Sequence, residues 1–124
     1  MKPKKKMINP GILQSFRDLE GDGAQDFVRD YFTAFLSPIS ERLLKLDKAI
    51  QDKDYRQLRD HAHALNSSFS TTGVEGMASI CAQLEFLGNS SSIEGAADKC
   101  KLLIQLQEEL RAEVLGLPEM KARL

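Results

Sequence analysis

The chain has 124 residues, a length that suits a single compact domain whose core needs no disulfides. It carries 17 basic and 18 acidic side chains, but four lysines and no acid fall within its first seven residues. The rest of the chain therefore holds 13 basic against 18 acidic side chains, a net charge of −5, and an acidic body of this kind argues against a nucleic-acid-binding surface.

Both ends of the chain are expected to be tails. Residues 1–8 are predicted to form a basic, flexible N-terminal tail. No apolar run follows its lysines, so it is not a signal peptide, and no segment approaches the roughly 18 apolar residues of a transmembrane helix. A cytoplasmic monomer without membrane contact is expected, in which the lysines favour solubility over binding to anionic lipid. The helical body spans residues 9–117, and Gly116 and Pro118 end it, which leaves residues 118–124 as a loose C-terminal tail.

The first elements are a short helix and a long amphipathic segment. Asn9 can cap a helix that follows over Ile12 to Leu19 and that ends in the turn residues Gly21 and Gly23. An unbroken stripe of apolar residues then recurs every three or four positions between residues 24 and 53: Val28, Phe32, Phe35, Ile39, Leu43, Leu46 and Ile50.

Pro38 lies inside that stripe. Because the stripe keeps its phase through the proline, we predict one helix that is kinked near residues 34–38. The alternative is two helices, with Ser37 capping the second and Pro38 at its first position. Phe27, Tyr31 and Leu36 lie off the stripe, and we expect them to pack on the short first helix. The alternative is that they form part of a docking patch.

Three further helices follow. Asp54 can cap a helix over Tyr55 to Ser70, which Gly73 ends by adopting a positive φ. The next helix is predicted over Val74 to Leu87. After the loop-like residues 88–92, the last runs from Ile93 to Leu115. The inward positions of these two helices are Val74, Met77, Cys81, Leu84, Ala96, Cys100, Leu103, Leu110 and Val114.

No stretch shows the alternation of a strand, so the pattern predicts an all-α fold. Short links between the helices favour an antiparallel four-helix bundle with a short extra helix at the N-terminus. Cys81 and Cys100 each fall on an apolar helical face, so buried thiols are favoured over a disulfide. No CxxC pair accompanies them, and no metal site is expected.

Two histidines lie in the central helix. Leu58, Leu65 and Phe69 fall in its buried arc, and His63 points away from that arc toward water. His61 lies nearer the core, where we expect it to hydrogen-bond to a neighbouring helix. Residues two apart on a helix point about 200° from each other, so the two imidazoles cannot share a metal ion.

The acids of the chain are spread over polar faces, and there is no glycine-rich phosphate loop or nucleophile elbow. An exposed, neutral imidazole is nevertheless a good nucleophile near pH 7.

The surrounding residues resemble a known family. His63-Ala64-Leu65-Asn66-Ser67-Ser68 is followed by Gly73-Val74 and Met77, and then by Cys81, Leu84 and Glu85. This series is similar to the pattern of the histidine-containing phosphotransfer (HPt) domains of bacterial phosphorelays, roughly H-x-L-K-G-S, G-A-x-x-L and C-x-x-L-E. The resemblance covers most of the chain after the first ten residues.

The resemblance implies that His63 takes a phosphoryl group from the aspartyl phosphate of a receiver domain and passes it to another receiver. Such a carrier is not a kinase and needs no cofactor, because the receiver supplies the magnesium. Receiver domains of response regulators or hybrid histidine kinases are the implied partners.

Two residues depart from the family pattern. Asn66 stands where the family has a lysine, so it offers hydrogen bonds but no charge to a phosphoryl group. Ser67 stands where the family has a glycine, and its hydroxyl can bond a phosphoryl oxygen or a backbone carbonyl. Arg59, one turn before His63, is the hypothesised substitute for the lysine, and Ser70 is a further supporting candidate.

The rival interpretation is a divergent helical-bundle adaptor that binds a receiver or another signalling partner without transferring a phosphoryl group. In that case His63 is incidental, and its loss leaves partner binding intact.

Overall fold

The computed structural model describes residues 6–19 and 23–121 of the chain, and the N-terminal lysines before residue 6 lie outside them. Within these ranges the chain is all-helical. Its helices are α1 (Pro10–Leu19), α2 (Ala24–Leu36), α3 (Ile39–Gln51), α4 (Tyr55–Thr72), α5 (Glu75–Asn89), α6 (Ala96–Leu115) and α7 (Pro118–Lys121).

Four helices form the bundle. Each of α3, α4, α5 and α6 contacts the next along the chain, and α6 packs back on α3, which closes the ring. Successive members are joined by short turns that reverse the chain, as an antiparallel bundle requires. The extra N-terminal helix α1 packs on α2, which leads into α3. The predicted fold class is confirmed.

The apolar stripes predicted from the sequence form the core. All seven residues of the long stripe are buried, as are the nine inward positions assigned to the last two bundle helices. Phe27 and Tyr31 pack against Phe16 of α1, with ring centroids 6.0 and 4.6 Å from it, which confirms their predicted partner. Cys81 and Cys100 are free, buried thiols, also as predicted.

The predicted single helix through Pro38 is wrong. The chain forms two helices, α2 and α3, with Ser37 and Pro38 between them. Both residues keep right-handed helical backbone angles, which explains why the apolar stripe stays in phase. Pro38 has no N–H to donate to the preceding turn, so the hydrogen-bonded ladder is interrupted. The alternative of two helices agrees with this break, but its predicted cap by Ser37 does not form, because no side chain caps α3.

Parts of both expected tails are ordered against the bundle. The backbone N–H groups of Met7 and Ile8 donate to the Glu113 carboxylate at 2.8–3.1 Å, and Ile8 is buried. At the other end, Pro118–Lys121 forms α7, in which Glu119 accepts two hydrogen bonds from Arg17, at 2.5 and 2.8 Å. Residues 6–8 and 118–121 are therefore not the loose tails that the sequence predicted. Hydrogen bonds to the carboxylates of Glu113 and Glu119 hold them against the rest of the chain.

Candidate functional site

The helix that carries His63 begins at Tyr55 as predicted and ends at Thr72, two residues beyond the predicted Ser70. The Asp54 side chain caps α4 by accepting from the backbone N–H of Gln57 at 3.1 Å. Gly73 ends the helix with a φ of 79°, a left-handed conformation that glycine adopts at little cost. Its buried face holds Leu58, Ala62, Leu65 and Phe69, and the opposite direction leaves 66% of the His63 side chain exposed. A partner can therefore reach the imidazole directly.

One ring nitrogen of His63 is already engaged. Its Nδ1 lies 3.1 Å from Oε2 of Glu85, a half-buried residue on α5. A carboxylate accepts hydrogen bonds but cannot donate, so the proton of a neutral imidazole in this contact resides on Nδ1. The other nitrogen, Nε2, then carries the lone pair. The contact thus selects the tautomer whose Nε2 is a nucleophile.

Gly88 explains how α5 comes so close to α4 beside this contact. An added Cβ at Gly88 would lie 2.7 Å from the backbone nitrogen of Arg59 and 2.8 Å from the backbone oxygen of Tyr55. Only a residue without a Cβ fits at this distance. Glu85 is one turn before Gly88 on α5, and the close packing brings its carboxylate within reach of His63.

His63 lies at the side of a shallow depression of about 430 Å³ between α4 and α5. The depression is lined by Arg59, Asp60, His63, Glu85 and Asn89. The Arg59 side chain is 42% exposed, and its Nε donates to Oδ1 of Asp60 at 3.0 Å. The hypothesised cation therefore lies beside His63 but is paired with its neighbouring aspartate.

The other supporting candidates lie outside this depression. The Ser70 hydroxyl donates to Oδ1 of Asn66 at 3.1 Å, so these two side chains bond to each other. The Ser67 carbonyl accepts from the Thr71 hydroxyl, and Ser67 lines a separate crevice against α2. The structure thus groups Arg59 with His63 and does not bring Asn66, Ser67 or Ser70 into the same depression.

His61 behaves as the sequence predicts. Nη1 of Arg42, on α3, lies 3.2 Å from His61 Nδ1, so the imidazole bonds to a neighbouring helix. Burial lowers the pKa of His61, and the positive charges of Arg42 and Lys45 lower it further. The ring is therefore held neutral, and its Nδ1 accepts from the guanidinium.

Glu85 is the site residue that sequence reasoning missed. It was part of the C-x-x-L-E pattern that carried the resemblance, yet nothing in the order of residues shows that it meets His63, 22 positions earlier. Asp60 lies on α4 itself, three residues before His63, and was counted among the acids spread over polar faces. Gly88 and Asn89 were missed for the same reason as Glu85. A helical-wheel projection of α5 combined with its pairing to α4 is the signal that finds them.

Other kinds of site find little support in the part of the chain that the structure describes. Residues 6–19 and 23–121 contain no cluster of metal-ligating side chains. In the same ranges, none of the helices is both long and apolar enough to cross a membrane. Burial raises the pKa of Cys81 to about 12 and that of Cys100 to about 11, which leaves both as unreactive thiols. The larger groove, of about 940 Å³ between α5, α6 and residues 6–10, does not include His63.

Similarity to known proteins points to one family. A family model described as "Hpt domain" matches residues 30–114, which include α3, α4, α5 and nearly all of α6. Multistep phosphorelay regulator 1 of Schizosaccharomyces pombe is 21% identical over 91 residues, which are 73% of this chain. The chain spans 31% of the length of that relative. Among solved structures, the histidine-containing phosphotransfer protein B (HptB) of Pseudomonas aeruginosa matches with a TM-score of 0.78 at 21% identity. The match covers 90% of this chain and 93% of that one. At this level of identity it shows a shared fold.

Proposed function

The chain belongs to the Hpt domain family, and from that premise we propose that His63 is the residue that carries its phosphoryl group. Family membership gives the chain a phosphotransfer role in phosphorelays, as a carrier module that works with receiver or kinase partners. The finer proposal is that His63 accepts the phosphoryl group from the aspartyl phosphate of one receiver domain and gives it to another.

The observation that carries this proposal is the pairing of an exposed imidazole with a carboxylate. The side chain of His63 is exposed, and its Nδ1 contacts Glu85 at 3.1 Å. Both residues stand at the positions that match the family's histidine and glutamate. In this tautomer the lone pair is on Nε2, and because the ring is exposed, the phosphorylated aspartate of a docked receiver can be placed in line with it.

The transfer can be written with atoms and protons in balance. The Nε2 lone pair attacks phosphorus, the bond between phosphorus and the aspartyl oxygen breaks, and the aspartate leaves as a carboxylate. The Nδ1 proton stays on the ring and continues to be bonded by Glu85, which offsets the positive charge that the ring gains. Onward transfer reverses these steps against the aspartate of the second receiver. Glu85 is thus a positioning residue that acts through His63.

The experiment is phosphoryl transfer from a panel of phosphorylated receiver domains in the presence of magnesium. We expect acid-labile, base-stable label on the wild-type chain and on His61→Gln, which is the matched control. His63→Gln should take no label while keeping the helical circular dichroism of the wild type. Label that survives in His63→Gln would refute the assignment.

A second variant tests the role of Glu85. Glu85→Gln keeps the size of the side chain, but its amide can donate to Nδ1 as well as accept from it, so the tautomer is no longer selected. We expect transfer to slow by about twofold to tenfold, which corresponds to the net value of one hydrogen bond at a partly exposed site. An unchanged rate would show that Glu85 does not position the ring.

The adaptor remains the second candidate, because Asn66 and Ser67 replace the lysine and glycine of the family pattern. Asn66 is bonded to Ser70 and brings no charge. If the adaptor interpretation holds, a receiver binds the wild-type chain and His63→Gln equally well, and neither becomes labelled. Binding by isothermal titration, measured beside the transfer assay, separates the two candidates.

A further inference from the structure

The depression beside His63 holds more negative than positive charge. Among the residues that line it, Arg59 carries one positive charge, whereas Asp60 and Glu85 are both acids. Glu85 is occupied with Nδ1 of His63, which leaves Arg59 and Asp60 as the charges that can rearrange. A phosphoryl group on Nε2 would bring further negative charge to the same place.

The backbone of Arg59 is fixed by close packing, whereas its guanidinium is exposed. Its backbone nitrogen and Cα lie against Gly88, where an added Cβ would be only 2.7 and 2.9 Å away from them. Its guanidinium, in contrast, is at the surface, where Nε donates to Oδ1 of Asp60 at 3.0 Å. Such an exposed pair is weak, so a new anion can displace it.

Helix geometry places Arg59 where it can reach the phosphoryl group. Residues four apart lie on the same face, with Cβ atoms about 5–6 Å apart. His63 and Arg59 line the same depression, so the long, exposed side chain of Arg59 can swing toward a group on the His63 ring. Asp60 is next to Arg59 in sequence and can hold the guanidinium aside from His63.

We propose that Asp60 and the phosphoryl group on His63 compete for the guanidinium of Arg59, so that Asp60 limits the lifetime of the phosphohistidine. This inference rests on the proposed function and adds a regulatory role for a residue that is not part of the family pattern quoted above. While Arg59 is bound to Asp60, the phosphoryl oxygens lack a cationic partner. When Arg59 turns to the phosphoryl group, it stabilises the phosphorylated state at the cost of the Asp60 contact.

The competition predicts opposite effects of the two single substitutions. Asp60→Asn keeps the shape of the side chain but weakens its hold on Arg59, so the lifetime should lengthen by about twofold to fivefold, which is the range of an exposed ion pair. Arg59→Ala should shorten it by a similar factor. In an Arg59→Ala background, Asp60→Asn should have little further effect, because there is no guanidinium left to release.

The test loads the full chain with phosphoramidate, a small donor that needs no receiver. Attack by Nε2 on phosphorus breaks the P–N bond of the donor, and the amine leaves as ammonia after taking up a proton. After removal of the donor, the loss of acid-labile phosphate is followed in time for the wild type, both single variants and the double variant. Water attacks phosphorus in this step, the bond to Nε2 breaks, and phosphate is released. His63→Gln gives the background.

Asp26→Asn is the matched control. Asp26 is an exposed aspartate that pairs with Arg29 at 3.2 Å on α2, so its substitution removes the same charge from an arginine pair outside the depression. We expect its lifetime to equal that of the wild type.

The outcomes separate this inference from the function on which it rests. A longer lifetime in Asp60→Asn that disappears in the Arg59→Ala background supports the competition. A longer lifetime of the same size in both backgrounds would overturn it, because Asp60 would then act by direct repulsion of the phosphoryl group. Unchanged lifetimes in a labelled protein would also overturn it and leave the carrier role intact. Absence of label on the wild-type chain would overturn both.

Discussion

Gly88 offers a direct test of how closely α4 and α5 pack. In Gly88→Ala the new methyl group would meet three backbone atoms of α4: the Arg59 nitrogen at 2.7 Å, the Tyr55 oxygen at 2.8 Å and the Arg59 Cα at 2.9 Å. Backbone atoms cannot rotate out of the way as a side chain can, so the two helices must move apart.

The expected cost follows from two opposing terms. Overpacking of a well-packed contact costs about 1–3 kcal/mol, and the clash with backbone puts this case at the upper end. Replacing glycine by alanine inside a helix returns about 1 kcal/mol through helix propensity. The net loss is therefore about 2 kcal/mol in the free energy of unfolding, or a Tm about 6–10 °C lower for a chain of this size.

Gly76→Ala is the control within the same helix. An added Cβ at Gly76 meets nothing within 4 Å, so only the propensity gain applies and this variant should be more stable than the wild type by up to about 1 kcal/mol. Thermal and urea unfolding followed by circular dichroism measure both variants. A Gly88→Ala protein as stable as Gly76→Ala would refute the close approach of α4 and α5, and with it the explanation of how Glu85 reaches His63.

Two further predictions concern the pair formed by Arg17 and Glu119 and the two buried thiols. Hydrogen bonds from Arg17 hold the pKa of Glu119 below its ordinary value, so this pair stabilises the fold above the pKa of an unfolded glutamate, about 4.3, and the effect is lost as the pH falls through the lower folded pKa. Glu119→Gln should therefore lower the free energy of unfolding by about 1–2 kcal/mol at pH 7. In urea titrations at successive pH values, this loss of stability should become smaller below pH 4. A loss that stays constant with pH would contradict the linkage. The thiols of Cys81 and Cys100, with pKa values raised to about 12 and about 11, should react with iodoacetamide only on unfolding. Rapid alkylation of the native protein, followed by mass spectrometry, would show that they are not buried.

The features that the sequence predicted well depend on neighbours along the chain. Asn9 accepts hydrogen bonds at the start of α1, Asp54 caps α4, and Gly73 ends it in the left-handed region. The apolar stripes also follow from local periodicity, and they specify which face of each helix is buried. These elements together account for the bundle.

The features that it missed depend on contacts between helices. Nothing near Glu119 in sequence shows that Arg17 will pair with it, 102 positions away, so residues 118–121 were expected to be loose. The helix breaks at Pro38 because proline has no backbone N–H to donate to the preceding turn. The apolar stripe continues through this position, so the pattern of apolar residues does not reveal the break. The contact between His63 and Glu85 depends on the packing at Gly88, which no local pattern reveals.

The most direct measurement of the central claim is an NMR spectrum of the His63 ring. Long-range correlations between the ring protons and nitrogens identify which nitrogen carries hydrogen and, after loading with phosphoramidate, which one carries phosphorus. We predict a proton on Nδ1 in the neutral, unloaded protein and the phosphoryl group on Nε2 of His63 in the loaded one. A phosphoryl group on Nδ1, or on any residue other than His63, would contradict the account.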